Sequence, residues 1–464
     1  MARSLSEPSS PSFCSEVHTE VSNRPVCIIG TGYVGMACMI GLAELGLTVH
    51  GYDIQADRIE RLRNAMPPYQ ELGITEALRK HIARGRMHFF DDLEEAARNA
   101  EVVLVTVGTP SHADGSADLS YLESALSSLS HVRFATWPTV VIRSTVPPGT
   151  CDRLAPFVEE WGELVFAPEF LREGSAVEDF LNPSRIIVGS RKSSIGVPYV
   201  RLFEALDTPV LFTALCNAEL IKCCSNAFLA MKITYANEIA NLCDALGAYS
   251  DDVLRGMGYD PRIGSDFLRP GIGFGGPCFE KDVNSIRHAA MQVDSSSELF
   301  SATLRVNQAQ PLRVVHALEK EIGSLDGAVV GVWGLAFKAG TDDIRYSLAI
   351  RVVEELAARG AQIVAYDPAV HVAPLPAGSR LVRSALEAAD ADALVVLTDW
   401  PEFAAIDPVS FASLLRRSVV IDGRNILDPK RIASAGLHYR GVGRTASPRA
   451  TREPCVAAMN GESA

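Results

Sequence analysis

No apolar run in the chain approaches the roughly 20 residues needed to cross a bilayer, so an integral membrane protein is not expected. Positive charge is not in excess either: 43 Lys and Arg stand against 56 Asp and Glu, a formal net charge of −13. General nucleic-acid binding needs a basic field, and this balance argues against it. An anionic ligand would therefore need a local cluster of Lys and Arg set against the global charge. Ten cysteines are present, yet no CxxC pair or metal-ligand spacing occurs, so no metal is expected. Several cysteines lie inside apolar runs, as small buried hydrophobes do, and this usage suits a reducing, cytoplasmic setting. The first 23 residues are Ser-rich and lack the apolar core of a signal peptide, while their three glutamates fit poorly with an organelle transit peptide. Residues 1–23 and 444–464 read as disordered tails.

What the chain does contain is 464 residues of ordinary globular balance, 47% hydrophobic and 21% charged, enough for two or three domains. Pro25-Val26-Cys27-Ile28-Ile29 is a short buried-strand pattern. Gly30-Thr31-Gly32-Tyr33-Val34-Gly35 follows at once, then a helical pattern to about Leu45 and a second apolar run ending at Asp53. A bare GxGxxG is weak evidence, but with its strand, helix and spaced acid it marks a dinucleotide-binding unit. The glycines allow a tight turn and close approach of a pyrophosphate to the helix N-terminus. Asp53 would accept hydrogen bonds from the adenosine ribose, which selects NAD over its 2′-phosphorylated relative. Arg58 would flank the adenosine, or be solvated on the next helix.

Further α/β units follow. The runs Glu101 to Val107 and Thr139 to Thr145 read as strands whose carboxyl ends place Thr109, Ser144 and Thr145 for small polar contacts. Pro168-Glu169-Phe170-Leu171-Arg172-Glu173 comes after another strand. Glu169 and Glu173 share a face if that turn is helical, and then either would serve as a base; alternatively they form a solvated face around Arg172. From Asn217 to about Leu246 a helical pattern runs without proline or glycine, and Lys222, Asn226 and Ala230 recur every fourth residue on one face. Burying a Lys and an Asn there is costly without a purpose, although a lysine can also snorkel to water.

The densest chemistry lies at 270–282, Pro-Gly-Ile-Gly-Phe-Gly-Gly-Pro-Cys-Phe-Glu-Lys-Asp. Its glycines let main chain approach a ligand closely. Cys278, with Lys281 and Asp282 just behind it, has the parts of an activated nucleophile. Residues 283 to about 320 look helical. Strand patterns then resume at Ala328, Ala361, Ala393 and Ser418, marking a second, smaller α/β domain without a GxGxxG. Lys338 and Arg424, just past strand ends, suit phosphate or uracil groups.

Taken together, these residues resemble the UDP-glucose 6-dehydrogenase branch of the UDP-glucose/GDP-mannose dehydrogenase family over about residues 24 to 440. Gly-Phe-Gly-Gly-x-Cys-Phe-x-Lys-Asp and Gly-Leu-Ala-Phe-Lys-x-x-Thr-Asp-Asp-x-Arg are highly specific. The resemblance implies an α/β fold with an N-terminal Rossmann-type NAD-binding domain (24–212), a central helical linker and dimerisation region (213–322), and a smaller Rossmann-like nucleotide-sugar-binding domain (323–443). It implies an NAD site from Gly30, Gly32, Tyr33, Val34, Gly35, Asp53, Arg58, Thr109, Thr145, Glu173, Lys281 and Arg345. The catalytic group would be Cys278 as nucleophile, Lys222 and Asn226 at the oxyanion, Asp282 orienting water, Glu169 as general base, and Thr145 ordering water. Substrate contacts would come from Glu169, Phe170, Leu171, Glu173, Lys222, Asn226, Phe274, Gly275, Phe337, Lys338 and Arg424, with Arg262 reaching a neighbouring subunit's site. The implied reaction is oxidation of UDP-glucose to UDP-glucuronate by a homodimer or higher homo-oligomer, without metal, nucleic acid or membrane. GDP-mannose or a UDP-amino sugar is the alternative substrate. A two-electron hydroxyacid dehydrogenase would need no Cys278, and a non-catalytic scaffold would lack Cys278, Lys222 or Asp282. Pro277 stands where the family carries a small residue, and Arg345-Tyr346-Ser347-Leu348 replaces Arg-x-Ser-Pro.

Overall fold

The computed structural model describes residues 24–69, 71, 73–112 and 114–444. The expected tails lie outside the described residues, except Arg444, whose guanidinium pairs with Asp251 at 2.6 Å.

Short Val- and Ile-rich runs, buried on both faces, become parallel strands because helices cover each side of the sheet. The first sheet contains β1 (Val26–Ile29), β2 (Val49–Tyr52), β3 (Met87–Phe90), β4 (Val102–Val105), β5 (Thr139–Ile142), β6 (Glu163–Phe166), β7 (Ile186–Gly189) and β8 (Val210–Thr213). Their order is β3-β2-β1-β4-β5-β6-β7-β8. Neighbours run parallel except β6 and β7, which meet antiparallel at Phe166 and Gly189. The chain leaves β1 in both directions, so a crevice opens at the carboxyl ends of β1 and β4. One face of the sheet is packed by Met36, Met39 and Ile40 of the helix Tyr33–Glu44, and the other by Leu122, Leu126 and Leu154.

The second sheet contains β9 (Val329–Trp333), β10 (Gln362–Tyr366), β11 (Arg380–Leu381), β12 (Ala393–Val396), β13 (Val419–Asp422) and β14 (His438–Gly441). It is parallel throughout, in the order β11-β10-β9-β12-β13-β14, with its own switch point between β9 and β12. Two separate apolar layers flank it, one around Val352 and Leu356, the other around Trp333 and Phe403.

Between the sheets runs one long helix, Leu215–Leu246, packed against the helices Phe279–Gln292 and Glu298–Ile322. The sequence reads residues 283 to about 320 as a single helix, but the chain breaks at 293–297. There Asp294 adopts φ +53, a left-handed angle an Asp tolerates and a helix interior does not.

Candidate functional site

The first crevice is shaped by the glycines. Gly30 sits at φ +92, and a Cβ on Gly35 would lie 1.9 Å from the Gly30 carbonyl oxygen, so the helix can start this close to β1 only with glycine there. Gly32 faces nothing within 4 Å. The result is an open cradle at a helix N-terminus, fit for a pyrophosphate. Asp53, at the end of β2, accepts hydrogen bonds from Thr31 N (2.8 Å), Thr31 Oγ1 (3.1 Å) and Arg58 Nη1 (2.8 Å), which ties the turn to the acid. Thr109 donates to the Thr145 carbonyl at 2.7 Å, linking the ends of β4 and β5. Val34, half-buried, packs against the core, whereas Tyr33 turns its hydroxyl to Glu71 and accepts Gly174 N at 2.8 Å.

A second constellation forms where the long helix passes beneath the Glu169 loop. Lys222 is 4% exposed, and its Nζ donates to the Glu169 carbonyl at 2.7 Å and to Glu169 Oε1 at 3.1 Å. Burial works against its charge, but Glu169, Asp282 and Cys278 outweigh burial and hold its pKa above the ordinary lysine value. The ammonium is therefore a fixed, desolvated cation rather than a snorkelling side chain. Four residues on, Asn226 Nδ2 donates to Asp282 Oδ2 at 2.6 Å. Asp282 is 1% exposed. Lys281 Nζ stands 2.9 Å from Asp282 Oδ1, a buried oxygen that otherwise makes no hydrogen bond of good geometry.

Cys278 caps the helix Phe279–Gln292, its carbonyl accepting Asp282 N at 2.9 Å. Pro277 precedes the cap, a place where the helix needs no amide donor. The Cys278 residue is exposed, but desolvation around its thiol pushes the pKa up to about 12; Glu169 and Asp282 add to the rise and Lys222 and Lys281 oppose it. The resting group at neutral pH is therefore a thiol.

The loop after β6 is not helical, so Glu169 and Glu173 part company. Glu169 Oε2 accepts Leu171 N at 2.7 Å and turns toward Lys222. Glu173 instead meets the second α/β domain, where Lys338 Nζ donates to its carbonyl and Arg345 Nη2 stands 3.9 Å from its carboxylate. Burial, and then Asp343, raise the Glu173 pKa to about 7 against the pull of Arg345 and Lys338. The Phe170 ring lies under Arg185 at 3.8 Å and 5.3 Å from Lys222 Nζ.

The Gly-rich segment is wedged between the two halves. Gly273 (φ +107) and Gly276 (φ +84) both need left-handed backbone, and a Cβ on Gly276 would meet the Phe337 ring at 2.7 Å. A Cβ on Gly275 would come equally close to the Tyr346 carbonyl oxygen. Arg424 braces this contact, donating to the carbonyls of Leu397 (2.8 Å), Phe337 (3.0 Å) and Gly273 (3.3 Å). Phe274 is buried. Arg262 alone stands apart, 86% exposed and paired with Asp260 at 2.6 Å.

Four site-supporting residues have no sequence signal of their own. Asn307 Oδ1 accepts Phe274 N at 2.8 Å and its Nδ2 donates to the Phe274 carbonyl at 2.9 Å. Asn237 and Gln310 hold Gly271 in the same way, at 2.7 and 3.1 Å. Glu219, fully buried one helical turn before Lys222, accepts Gly149 N (2.5 Å) and Cys151 N (2.7 Å), anchoring the turn that follows Thr145. A buried polar residue inside a helical run was the available cue, but it names no partner.

Three descriptions of one family match consecutive stretches of the chain. The NAD binding domain of the UDP-glucose/GDP-mannose dehydrogenase family matches residues 24–207, its central domain residues 216–309, and its UDP binding domain residues 331–429. The UDP-glucose 6-dehydrogenase of Rhizobium meliloti (strain 1021) is 38% identical over 437 residues, covering 90% of this chain and 99% of its own. The UDP-glucose 6-dehydrogenase TuaD of Bacillus subtilis (strain 168) is 36% identical over 435 residues, covering 91% and 94%. Among solved structures, a UDP-glucose dehydrogenase from Pyrobaculum islandicum superposes with TM-score 0.85 at 36% identity, over 93% of this chain and 100% of that one.

Proposed function

The chain belongs to the UDP-glucose/GDP-mannose dehydrogenase family, and from that premise we propose that it oxidises the C6 hydroxyl of UDP-glucose to the carboxylate of UDP-glucuronate with NAD. The observation that carries this reading is the meeting of Cys278, Lys222, Asn226, Asp282 and Glu169 within one cleft between two nucleotide-shaped domains.

NAD fits the first crevice through the open face of Gly32, the cradle at Gly30 and Gly35, and Asp53 for the ribose. The chemistry it supplies when bound is hydride acceptance, once in each oxidation step. The chain's own residues do the rest. Asp282 Oδ1, buried with no well-aligned donor, takes up the hydroxyl proton through a water, steadied by Asn226 and Lys281. Lys222 presents its charge to the oxygen where negative charge develops, worth about 2–4 kcal/mol in such settings. The Cys278 thiol adds across the aldehyde, sulfur to carbon and proton to the oxygen beside Lys222, giving a thiohemiacetal. Its oxidation leaves a thioester, which a water aligned by Glu169 and Asp282 hydrolyses, returning the thiol and releasing the acid. A covalent acyl-enzyme lets two oxidations occur at one site without releasing the reactive aldehyde.

Glu173 joins the first α/β domain to Lys338 and Arg345 of the second, and Arg424 ties the second domain to the Gly-rich segment that carries Phe274 and Gly275. The proposed assembly is a homo-oligomer. The long helix exposes Phe228 (57%), Tyr235 (47%) and Leu242 (53%) at seven-residue intervals, an apolar stripe suited to a second copy. Arg262, turned away from its own cleft, would then serve the neighbouring subunit. The eight described cysteines are all free thiols, in keeping with a reducing cytoplasm.

Counting NADH formed against sugar nucleotide consumed tests the reaction. Two per UDP-glucose is expected; one per sugar, or equal turnover of GDP-mannose or a UDP-N-acetyl sugar, would overturn it. Cys278→Ser should halt before the uronate appears.

A further inference from the structure

Behind the Glu169 loop lies a separate cavity of about 290 Å³, walled wholly by the first α/β domain. None of its walls comes from the Gly-rich segment, the long helix or the second α/β domain, and it shares with the cleft that holds Cys278 only the loop residues Glu169, Phe170 and Leu171. Four aromatic rings line it: Phe170, Phe180, Tyr199 and Phe203.

The charges around it do not balance. Of its two carboxylates, Glu169 is paired with Lys222 and Asp179 with Arg172 at 2.6 Å. Two arginines remain. Arg143 is buried, donates to the Tyr199 hydroxyl, and keeps an Nε–H with no acceptor. Tyr199 has a pKa pushed up to about 12 by burial, so at neutral pH it is a phenol and supplies no negative charge. Arg185, at the mouth, reaches only the hydroxyls of Ser184 (3.1 Å) and Ser225 (3.4 Å) and stacks on Phe170. Among the described residues neither arginine has a carboxylate within ion-pair distance; Arg143 feels Glu169 only at longer range and also contacts the Cys38 thiol. A buried guanidinium with no close ion pair and with an unmet donor is costly, and proteins normally satisfy such groups. An anion entering the cavity would meet both needs, and the rings offer it stacking surface.

We propose that this cavity is a binding site for a small aromatic carboxylate, the carboxylate accepting from Arg143 Nε with Arg185 closing over it at the mouth and the ring lodged between Phe170, Phe180 and Tyr199.

Benzoate is the probe. Titrated calorimetrically into the full chain at neutral pH, it should bind saturably at one site per chain and equally well when UDP-glucose and NAD are present. Arg185→Ala should weaken it at least about tenfold, the usual cost of a charge-assisted hydrogen bond. Arg143→Gln should abolish it. Because Arg143 is buried and its loss could unfold the domain, Ser184→Trp, which fills the mouth from the exposed rim, provides an independent block. The site is refuted by an absence of saturable heat up to the solubility limit, by binding that persists in both Arg185→Ala and Ser184→Trp, or by competition from UDP-glucose. Inorganic phosphate binding as tightly as benzoate would refute the aromatic part of the assignment.

Discussion

Asn307 is the residue whose loss should most cleanly separate the placement of the Gly-rich segment from its chemistry. Its side-chain amide satisfies both main-chain groups of Phe274, which is buried, at 2.8 and 2.9 Å. Asn307→Ala leaves that N–H and C=O without partners, each costing about 1–3 kcal/mol. Water entering the space left by the amide would recover part of this, so roughly 2–4 kcal/mol of local stability should be lost. Amide hydrogen exchange of peptides spanning 270–278 reads the loss directly. Each 1.4 kcal/mol is about tenfold in the opening equilibrium, so protection should fall about thirtyfold to a thousandfold. Asn307→Asp should behave as badly or worse, because it keeps the acceptor for Phe274 N but turns a second acceptor toward the Phe274 carbonyl and buries a charge. The consequence for function is a loosened approach to Cys278, seen as a fall in kcat with the NAD affinity unchanged. Protection at 270–278 that is the same in wild type and Asn307→Ala would refute the reasoning.

Three further outcomes follow from the geometry. Lys222→Met removes the buried ammonium while keeping its bulk; kcat should fall about thirtyfold to a thousandfold, and near-normal turnover would reduce Lys222 to a packing role. The Glu173 pKa is raised from about 4.5 to about 7. Its stabilising contribution is thus full below pH about 4.5 and is lost as pH climbs through 7, because the folded state holds a proton that the unfolded state has released. The melting temperature of Glu173→Gln should therefore rise relative to wild type between pH 5 and 8, and a pH-independent difference would refute the assignment. Gly35→Ala would place a methyl 1.9 Å from the Gly30 carbonyl, so NAD binding measured by fluorescence titration should be lost, whereas benzoate binding behind the Glu169 loop should survive.

Much of the molecule was legible locally. The run into Gly30, the spaced Asp53 and nine of the fourteen described strands follow from sterics and periodicity over a few residues; β3, β7, β8, β11 and β14, mostly at or near the sheet edges and less uniformly apolar, are not read from the sequence. The Lys222–Asn226 face was equally readable, since a helix repeats its faces every three to four residues. The antiparallel meeting of β6 with β7 was not, because strand pairing is settled by the layers that cover a sheet. The break at Asp294 escaped for a related reason: one left-handed residue in a polar stretch leaves little mark on a helical pattern.

By itself the sequence determined which chemical groups the chain owns and on which elements they ride: a glycine cradle, a thiol at a helix start, and a lysine and asparagine on one helix face. The tertiary structure alone decided their partners. Glu169 went to Lys222 and Glu173 to the second domain, although only three residues separate them, because the loop between them does not close into a helix. Asn237, Asn307 and Gln310 became the clamp on the Gly-rich segment only when two long helices packed alongside it. Arg143 was left facing a cavity with a donor unmet. Pattern and propensity act over a few residues, whereas a buried polar group must be satisfied by whatever the fold brings near it from tens of residues away.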